Sequence, residues 1–233
     1  MYAVVLAAGA GTRLASISVG LPKSLVTLNE KPLLAHVLQR LERAGFAQVI
    51  IVTGFQSERV EEFLKNFSSS LTITTVHNTE YQRENGFSLL CARSFMSDRF
   101  VLAMGDHIVD PEIYRVAGNA KSLGLCVDRA PSLNCQTNDA TRVWVEDEKI
   151  VRIGKELTEW NALDTGIFSL TPKIFEALDS LRGQNQLTIT HAIRQLISQG
   201  CSIKALDVSG KFWSDIDTPE DLRETEKFLK SPR

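Results

Sequence analysis

The residues that could do chemistry begin with two closely spaced glycines, Gly9 and Gly11, followed by Thr12 and Arg13. A glycine-rich turn after an apolar run lets backbone N–H groups face a phosphate, and a guanidinium such as that of Arg13 can clamp the phosphate oxygens. Lys23 follows later, directly after a proline. A lone lysine is ordinarily a surface residue, but beside this loop we expect Lys23 to supply a second positive charge to a polyphosphate.

Two familiar phosphate-binding motifs do not fit this loop. A dinucleotide-binding fold requires a third glycine where Leu14 stands, and an acidic residue about 20 residues further on at the end of a second strand. Glu30 has about this spacing but precedes a predicted helix. A P-loop requires a lysine directly after its last glycine, and none follows Gly11. The loop therefore predicts phosphate binding by backbone N–H groups and Arg13.

Acidic side chains suited to a metal ion occur at two later points of the chain. Asp106 comes after the apolar run Phe100–Met104, and Asp215 and Asp217 lie on either side of Ile216. Mg²⁺ prefers oxygen ligands and is typically held by one or two carboxylates with substrate phosphates and water. Asp106 could be a structural turn cap, but it follows a strand as the glycine loop does, so we expect both at one site. Either Asp215 or Asp217 could be the second carboxylate.

The elements that must position these residues alternate between strands and helices. Apolar runs predict strands at residues 3–8, 48–52, 71–76 and 100–104. Apolar spacing and capping signals predict helices from Pro32 to Gly45 and at residues 58–66. Later predicted elements are a hairpin at 141–153, strands at 166–170 and 203–208, and helices after Pro172, at 190–200 and after Thr218. Such alternation indicates an α/β fold with a parallel sheet that presents ligands at the carboxyl ends of its strands.

Composition limits the class of protein. The 233 residues suffice for one α/β domain, expected over residues 1–233, and 43% hydrophobic residues can form a sizeable core. A net charge of −2 indicates no nucleic-acid partner and no membrane contact, and no apolar run is long enough for a membrane span, so we expect a cytoplasmic protein. Cys91, Cys126, Cys135 and Cys201 form no C-x-x-C pair, which favours free thiols over a metal site or disulfides. The sequence does not indicate an oligomeric state.

The chain resembles the nucleoside-diphosphate-sugar pyrophosphorylase-like nucleotidyltransferases at four places: LAAGAGTRL, LPKSL, Gly105-Asp106 and Trp213–Asp217. The resemblance covers nearly the whole chain and implies a Rossmann-like three-layer α/β/α fold with a mostly parallel mixed central sheet. It implies that Arg13 and Lys23 balance the charge of a nucleoside triphosphate. It also implies that Asp106 and Asp215 hold Mg²⁺, with Asp217 as the second choice. The residues it implies for cradling the nucleotide are Leu6, Ala7, Ala8, Gly9, Gly11 and Thr12.

The same resemblance implies contacts with the base and with the acceptor. Gly86 and Ser88 correspond to a segment that lies against the base in the family, although Ser88 could simply be a helix-start residue. Lys155 corresponds to a lysine that contacts the acceptor phosphate, although it could be an exposed hairpin residue. The turn expected before the strand at 166–170 corresponds to contacts with ring hydroxyls; it consists of Asp164, Thr165 and Gly166.

Four shorter segments, ENGFSLL, MGDHI, GKEL and DTGIF, are most similar to those of CTP:inositol-1-phosphate cytidylyltransferases. This similarity implies Mg²⁺-dependent synthesis of CDP-inositol from CTP and L-myo-inositol 1-phosphate, a small phosphorylated polyol. The acceptor phosphate would attack the α-phosphorus in line, and because it is already ionised, no general base is needed. Arg13, Lys23 and Lys155 would act by positioning and charge neutralisation. Some such enzymes are fused to a membrane-embedded CDP-alcohol phosphotransferase, so the chain could be the N-terminal part of a longer bifunctional protein.

Three alternatives stay open. One is a phosphocholine cytidylyltransferase, for which the 7% aromatic content offers no obvious cage around a quaternary ammonium group. Another is a sugar-1-phosphate nucleotidyltransferase. The third, from a different class, is a catalytically silent nucleotide-sensing or scaffold subunit. The joint presence of Arg13, Lys23, Asp106 and Asp215 argues against silence, because a sensor does not need a pair of metal ligands.

Overall fold

The computed structural model describes residues 2–18, 20–131, 139–183 and 187–230. Cys135 lies outside these residues, whereas Cys91, Cys126 and Cys201 are free thiols, as expected. No helix in the described ranges is long and apolar enough to cross a membrane.

Strands and helices alternate along the described residues. The strands are β1 (Tyr2–Leu6), β2 (Thr27–Leu28), β3 (Lys31–Pro32), β4 (Gln48–Thr53), β5 (Thr72–His77), β6 (Phe100–Met104), β7 (His107–Val109), β8 (Gly124–Asp128), β9 (Arg142–Glu146), β10 (Lys149–Gly154), β11 (Ala162–Leu170), β12 (Lys204–Asp207) and β13 (Trp213–Asp215). The α-helices are α1 (Ala15–Ser18), α2 (Leu33–Arg43), α3 (Ser57–Lys65), α4 (Asn85–Cys91), α5 (Pro111–Asn119), α6 (Lys173–Leu181), α7 (Ile189–Ser198) and α8 (Pro219–Lys230). Single 3₁₀ turns lie at Thr12–Leu14, Lys23–Leu25 and Arg93–Phe95.

A nine-stranded sheet forms the middle layer, in the order β5–β4–β1–β6–β11–β8–β12–β10–β9. All of its strands except β10 and β11 run in the same direction. Successive residues of β1 serve opposite faces: Ala3 and Val5 pack in a core with α2 and α5, whereas Val4 packs in a second core with α4, α6 and α7. The expected three-layer α/β/α fold with a mostly parallel mixed sheet is confirmed.

The predicted elements largely agree with the structure, which also contains elements that the sequence does not predict. Strands β4 and β6 and the β9–β10 hairpin occur where expected, with ends shifted by a residue or two. The sequence does not predict α5 or β8, and β8 is a short, fully buried run without the periodicity that identifies longer elements. The expectation that Asp164–Gly166 precede a strand is wrong. These residues lie inside β11, because Ala162 and Leu163 before them already pair with β9.

The order of the strands places two loops side by side. β4 and β6 flank β1 on opposite sides, and Leu6 at the end of β1 is in register with Met104 at the end of β6. Open α/β sheets hold their ligands outside the carboxyl ends of the strands at such a reversal of strand order. A small antiparallel ribbon of β7 and β13 follows β6 and sets Asp215 opposite His107. The fold therefore brings the glycine loop, Asp106 and Asp215 to one edge.

Candidate active site

The first residues of the loop after β1 are hydrogen-bonded to the end of β4 and the residues that follow it. Ala7 N–H donates to Val52 O (2.8 Å), and Ala8 O accepts from Phe55 N–H (3.0 Å). Among the described residues, no backbone carbonyl accepts a hydrogen bond from the N–H groups of Gly9 or Gly11. These N–H groups are available to a phosphate, as predicted for such a loop.

Gly11 allows Lys23 to lie against the loop. Its φ of +65° is in the left-handed region that favours glycine, and a Cβ built on it would lie 2.8 Å from Lys23 Cβ. Lys23 N–H also donates to Gly9 O (3.3 Å). Any larger residue at position 11 would push Lys23 away from the loop.

Lys23 lies in a cluster of carboxylates. Its Nζ pairs with Asp106, lies 2.5 Å from Asp217 Oδ1 and 3.8 Å from Asp215 Oδ1. Burial alone would lower the pKa of Lys23, but the three carboxylates outweigh burial and raise it. Lys23 is therefore charged at neutral pH, and it neutralises residues far from it in the chain.

His107 is a second cation in this cluster. Its Nδ1 lies 2.8 Å from Asp106 Oδ1 and 3.6 Å from Asp215 Oδ1. Burial alone would lower the pKa of His107, but Asp215 and Asp106 raise it to about 9. Burial likewise opposes ionisation of Asp106, yet Lys23 and His107 hold the pKa of that carboxyl well below its usual range. A protonated imidazole cannot accept a proton, so His107 is not suited to act as a general base.

Asp215 is the carboxylate with a free oxygen. Its Oδ1 is buried and has no hydrogen-bond partner in the described structure, and burial is the main reason that the pKa of Asp215 is raised to about 6. The possible ligand atoms of Asp106, His107 and Asp215 lie within 4.8 Å of one another. Asp217, in contrast, has one oxygen on Lys23 and the other on Arg13. The carboxylates of Asp106 and Asp215 could hold a divalent metal ion, and the oxygen without a hydrogen bond favours Asp215 over Asp217 as the candidate second ligand.

A chain of alternating charges links this cluster to Lys155. Arg13 Nη2 lies 2.5 Å from Asp217 Oδ2, and Arg13 Nη1 lies 3.0 Å from Asp139 Oδ2. The other oxygen of Asp139 lies 2.8 Å from Lys155 Nζ. The structure thus brings the three predicted phosphate-binding cations together. The sequence does not indicate Asp139, since nothing in its neighbourhood has a recognisable spacing.

Two buried carboxylates hold the segment that carries Asp215 and Asp217. Asp128 Oδ2, at the end of β8, accepts a hydrogen bond from Trp213 Nε1 (2.9 Å). Asp221 Oδ2 accepts from the N–H groups of Asp217 (2.8 Å) and Thr218 (2.6 Å) at the start of α8. Thr218 Oγ1 accepts from Asp221 N–H (3.3 Å) in return, which completes a capping box. The helix start is visible in the sequence, but its hold on Asp217 is not.

A cavity of about 210 Å³ adjoins this series of ion pairs. Its lining includes Lys155, Asp164 and Gly166 of the predicted acceptor site. Burial raises the pKa of Asp164 to about 6, and Asp164 Oδ1 accepts from Gly166 N–H (2.7 Å). Thr165, however, is fully buried and donates its hydroxyl to Cys126 O (2.9 Å). Three of the four predicted acceptor residues therefore face the cavity, whereas the Thr165 side chain braces β11 against β8.

Gly86 and Ser88, predicted to contact the base, have packing roles. Gly86 N–H donates to Leu187 O (2.9 Å), and a Cβ on Gly86 would lie 2.2 Å from that oxygen. Ser88 is buried, and its hydroxyl accepts from Asn78 Nδ2 (3.0 Å). Neither group is open to a base in this conformation, so their contact with the nucleotide stays a prediction.

The sequence matches the nucleotidyl transferase family over residues 2–231. The chain belongs to this family. This match confirms the family that the glycine loop, Lys23, Asp106 and Asp215 indicated in the sequence. In this nucleotidyltransferase those residues meet at the carboxyl edge of the sheet.

Several known proteins are similar to this nucleotidyltransferase. It is 34% identical to the bifunctional IPC transferase and DIPP synthase of Aquifex aeolicus, over 97% of this chain and 51% of the relative. It is 32% identical to the protein of the same name from Archaeoglobus fulgidus, over 99% of this chain and 44% of the relative. The chain thus spans about half the length of these curated relatives.

Two further similarities cover whole proteins. The chain is 30% identical to the UTP–glucose-1-phosphate uridylyltransferase of Haloferax volcanii, over 99% of this chain and 97% of the relative. The solved structure of the inositol-1-phosphate CTP transferase from T. maritima matches it with a TM-score of 0.88 and 24% identity, over 100% of this chain and 97% of that one. The latter shows that the two share a fold.

Proposed function

We propose that this chain transfers a cytidylyl group from CTP to L-myo-inositol 1-phosphate, forming CDP-inositol and pyrophosphate. The main support for nucleotidyl transfer is the arrangement of three cations beside an open glycine loop. Carboxylates link Arg13, Lys23 and Lys155 to one another there. A triphosphate and a second phosphate repel each other because both are anions. Three cations at one place would reduce this repulsion and hold the two substrates together.

The choice of CTP and inositol phosphate has separate support. The segments ENGFSLL, MGDHI, GKEL and DTGIF resemble those of CTP:inositol-1-phosphate cytidylyltransferases. Relatives that match nearly all of this chain are named bifunctional IPC transferase and DIPP synthase. Asp164 lines the cavity beside Lys155, where its carboxylate would accept hydrogen bonds from ring hydroxyls.

The chain's own residues would act as follows. An ionised oxygen of the acceptor phosphate forms a bond to the α-phosphorus of the nucleotide while the bond to the pyrophosphate leaving group breaks. The N–H groups of Gly9 and Gly11 and the guanidinium of Arg13 hold the triphosphate, and Lys155 holds the acceptor phosphate in line with it. Lys23 neutralises charge beside the loop. No side chain takes up a proton in this scheme, in agreement with a protonated His107.

We propose Mg²⁺ as the metal ion, held by Asp106 and Asp215, with Asp217 as the alternative to Asp215. Carboxylate oxygens are ligands that Mg²⁺ prefers, and Asp215 Oδ1 accepts no hydrogen bond from the described residues. When bound there, the ion would add positive charge next to the nucleotide phosphates.

The proposed domain comprises residues 1–233, as the N-terminal part of a longer bifunctional protein or as a single-domain enzyme. The greater length of the relatives supports the first arrangement. CTP and a small phosphorylated polyol are the proposed partners, without nucleic acid or membrane contact by this chain. The cytoplasmic location stays a prediction.

A second candidate is a sugar-1-phosphate nucleotidyltransferase. It is favoured by the similarity to the Haloferax volcanii uridylyltransferase, which covers nearly all of both proteins. A screen of pyrophosphate release separates the candidates, with each of four nucleoside triphosphates offered L-myo-inositol 1-phosphate, phosphocholine or glucose 1-phosphate in the presence of Mg²⁺. We expect the fastest turnover with CTP and inositol phosphate. Turnover of UTP with glucose 1-phosphate alone would support the second candidate, and no turnover of any pair would support a silent subunit.

The variant Asp106→Asn tests the site itself. Removal of this carboxylate's charge should lower kcat at least about 100-fold, as loss of a single electrostatic contact to a transition state commonly does, while the circular dichroism spectrum is unchanged. Asp179→Asn is the matched control, because Asp179 is also ion-paired but with Arg93 and Arg182, which lie outside the site. Near-normal activity of Asp106→Asn would refute the assignment.

A further inference from the structure

Asp139 makes a two-sided contact with cations that come from distant parts of the chain. Its Oδ2 lies 3.0 Å from Arg13 Nη1, in the loop after β1, and its Oδ1 lies 2.8 Å from Lys155 Nζ, just after β10. Each oxygen of this one carboxylate thus serves a different cation. Asp139 itself lines the cavity together with both of them.

This contact has the form that a substrate phosphate would have. A phosphate, like a carboxylate, offers several oxygens on one anionic group and accepts charge-assisted hydrogen bonds from guanidinium and ammonium groups. Arg13 and Lys155 are the two cations that the proposed function assigns to the nucleotide and to the acceptor. A phosphate that binds between Arg13 and Lys155 would compete with Asp139 for both cations.

We propose that Asp139 is an internal stand-in for substrate phosphate, which positions Arg13 and Lys155 in the free protein and is displaced when a phosphate binds. The assignment of the two cations rests on the proposed function, whereas the competition itself requires only that an anion bind between them.

The exposure of the three side chains explains why displacement is easy. Arg13, Asp139 and Lys155 are 56%, 60% and 59% exposed. Ion pairs this open to water contribute little, so a released Asp139 is readily solvated. Lys23, only 12% exposed within its carboxylates, is held far more firmly. The series of ion pairs is therefore weakly held at the cavity, where Asp139 lies, and firmly held around Asp106.

The competition predicts a gain of affinity when Asp139 loses its charge. Asp139→Asn should bind inorganic pyrophosphate about three- to tenfold more tightly than the wild type, which corresponds to loss of two exposed ion pairs from the free state. Isothermal titration calorimetry at low ionic strength, without nucleotide or acceptor, measures this dissociation constant. In turnover assays the same variant should lower KM for the phosphate-bearing substrates, since no carboxylate has to be displaced before they bind.

Three further variants make the test specific. Asp179→Asn removes a carboxylate that also bridges two cations, Arg93 and Arg182, but away from the cavity, and should leave pyrophosphate binding unchanged. In an Arg13→Gln background, Asp139→Asn should give a clearly smaller gain, because one of the freed cations is gone. Asp139→Ala, which cannot form a new hydrogen bond, should repeat the gain.

Equal or weaker binding of pyrophosphate by Asp139→Asn would overturn the proposal, as would a full gain in the Arg13→Gln background. These outcomes are independent of the substrate assignment. If the protein does not use CTP and inositol phosphate but Asp139→Asn still binds pyrophosphate more tightly, the proposed function fails and this inference stands.

Discussion

Lys23 offers the sharpest test of how the site is held together. Lys23→Met keeps the length of the side chain but leaves the carboxylates of Asp106, Asp215 and Asp217 without their central cation. Removal of one partner from a buried ion pair costs about 3–5 kcal/mol. Asp106 remains 23% exposed and Asp217 keeps its contact with Arg13, so we take the lower end, about 3 kcal/mol.

The loss is measured by urea and thermal unfolding without metal ions. For a chain of this size, about 3 kcal/mol corresponds to a decrease in Tm of about 6–12 °C. Lys155→Met is the matched control, because it removes a lysine from a pair with Asp139 in which both side chains are more than half exposed. We expect that control to change the free energy of unfolding by less than about 1 kcal/mol.

A divalent ion should replace the missing charge. Mg²⁺ or Mn²⁺ at about 100 times its dissociation constant adds about 2.7 kcal/mol to the free energy of unfolding. In the wild type the ion must first displace Lys23 from Asp106, so the same concentration should raise Tm more in Lys23→Met. The reasoning is refuted if Lys23→Met unfolds like the wild type without metal, or if added metal stabilises both proteins equally.

Two other predictions concern Asp164 and Gly86. The pKa of Asp164 is raised by burial to about 6, so its contribution to stability is complete below about pH 4 and is lost as the pH rises through 6. Asp164→Asn keeps an acceptor for Gly166 N–H and should be about 3 kcal/mol more stable than the wild type at pH 7.5, with the difference falling below about 1 kcal/mol by pH 4; parallel stability curves would contradict this. Gly86→Ala should lose about 3 kcal/mol in urea unfolding, because its Cβ would meet Leu187 O. Gly183→Ala, whose Cβ meets no described atom within 4 Å, is its control, and equal stability of the two variants would show that α4 simply shifts.

Much of the fold could be predicted because its signals are local. The apolar runs of β1, β4 and β6 and the capping residues of α8 each identify an element without reference to the rest of the chain. Strand β8 could not be predicted, since five buried residues in a row have no period that separates a strand from a helix. The start of β11 was misplaced for a related reason: its first residues are defined by pairing with β9, which lies about 20 residues earlier.

The residues of the candidate site likewise comprise some that a local motif indicates and others that only the fold brings together. Its proposed phosphate-binding residues are recognisable because Gly9, Gly11 and Arg13 lie within one short turn. The role of Asp139 has no such signal, because its partner Arg13 is 126 residues away. No sequence motif shows why a glycine is needed at position 86. The reason is that Leu187 O, from another loop, lies too close to leave room for a Cβ.

By itself the sequence indicated the family and the loop that we propose to bind phosphate, since the motifs that mark them depend on residue types at short spacings. Only the tertiary structure decided which carboxylate has a free oxygen. Asp215 and Asp217 are two residues apart and alike in type. Asp217 is hydrogen-bonded to Lys23, 194 residues away, while Asp215 Oδ1 accepts no hydrogen bond in the described structure. The burial of a side chain and the charges around it depend on every element that packs against it. These surroundings form only when the chain folds.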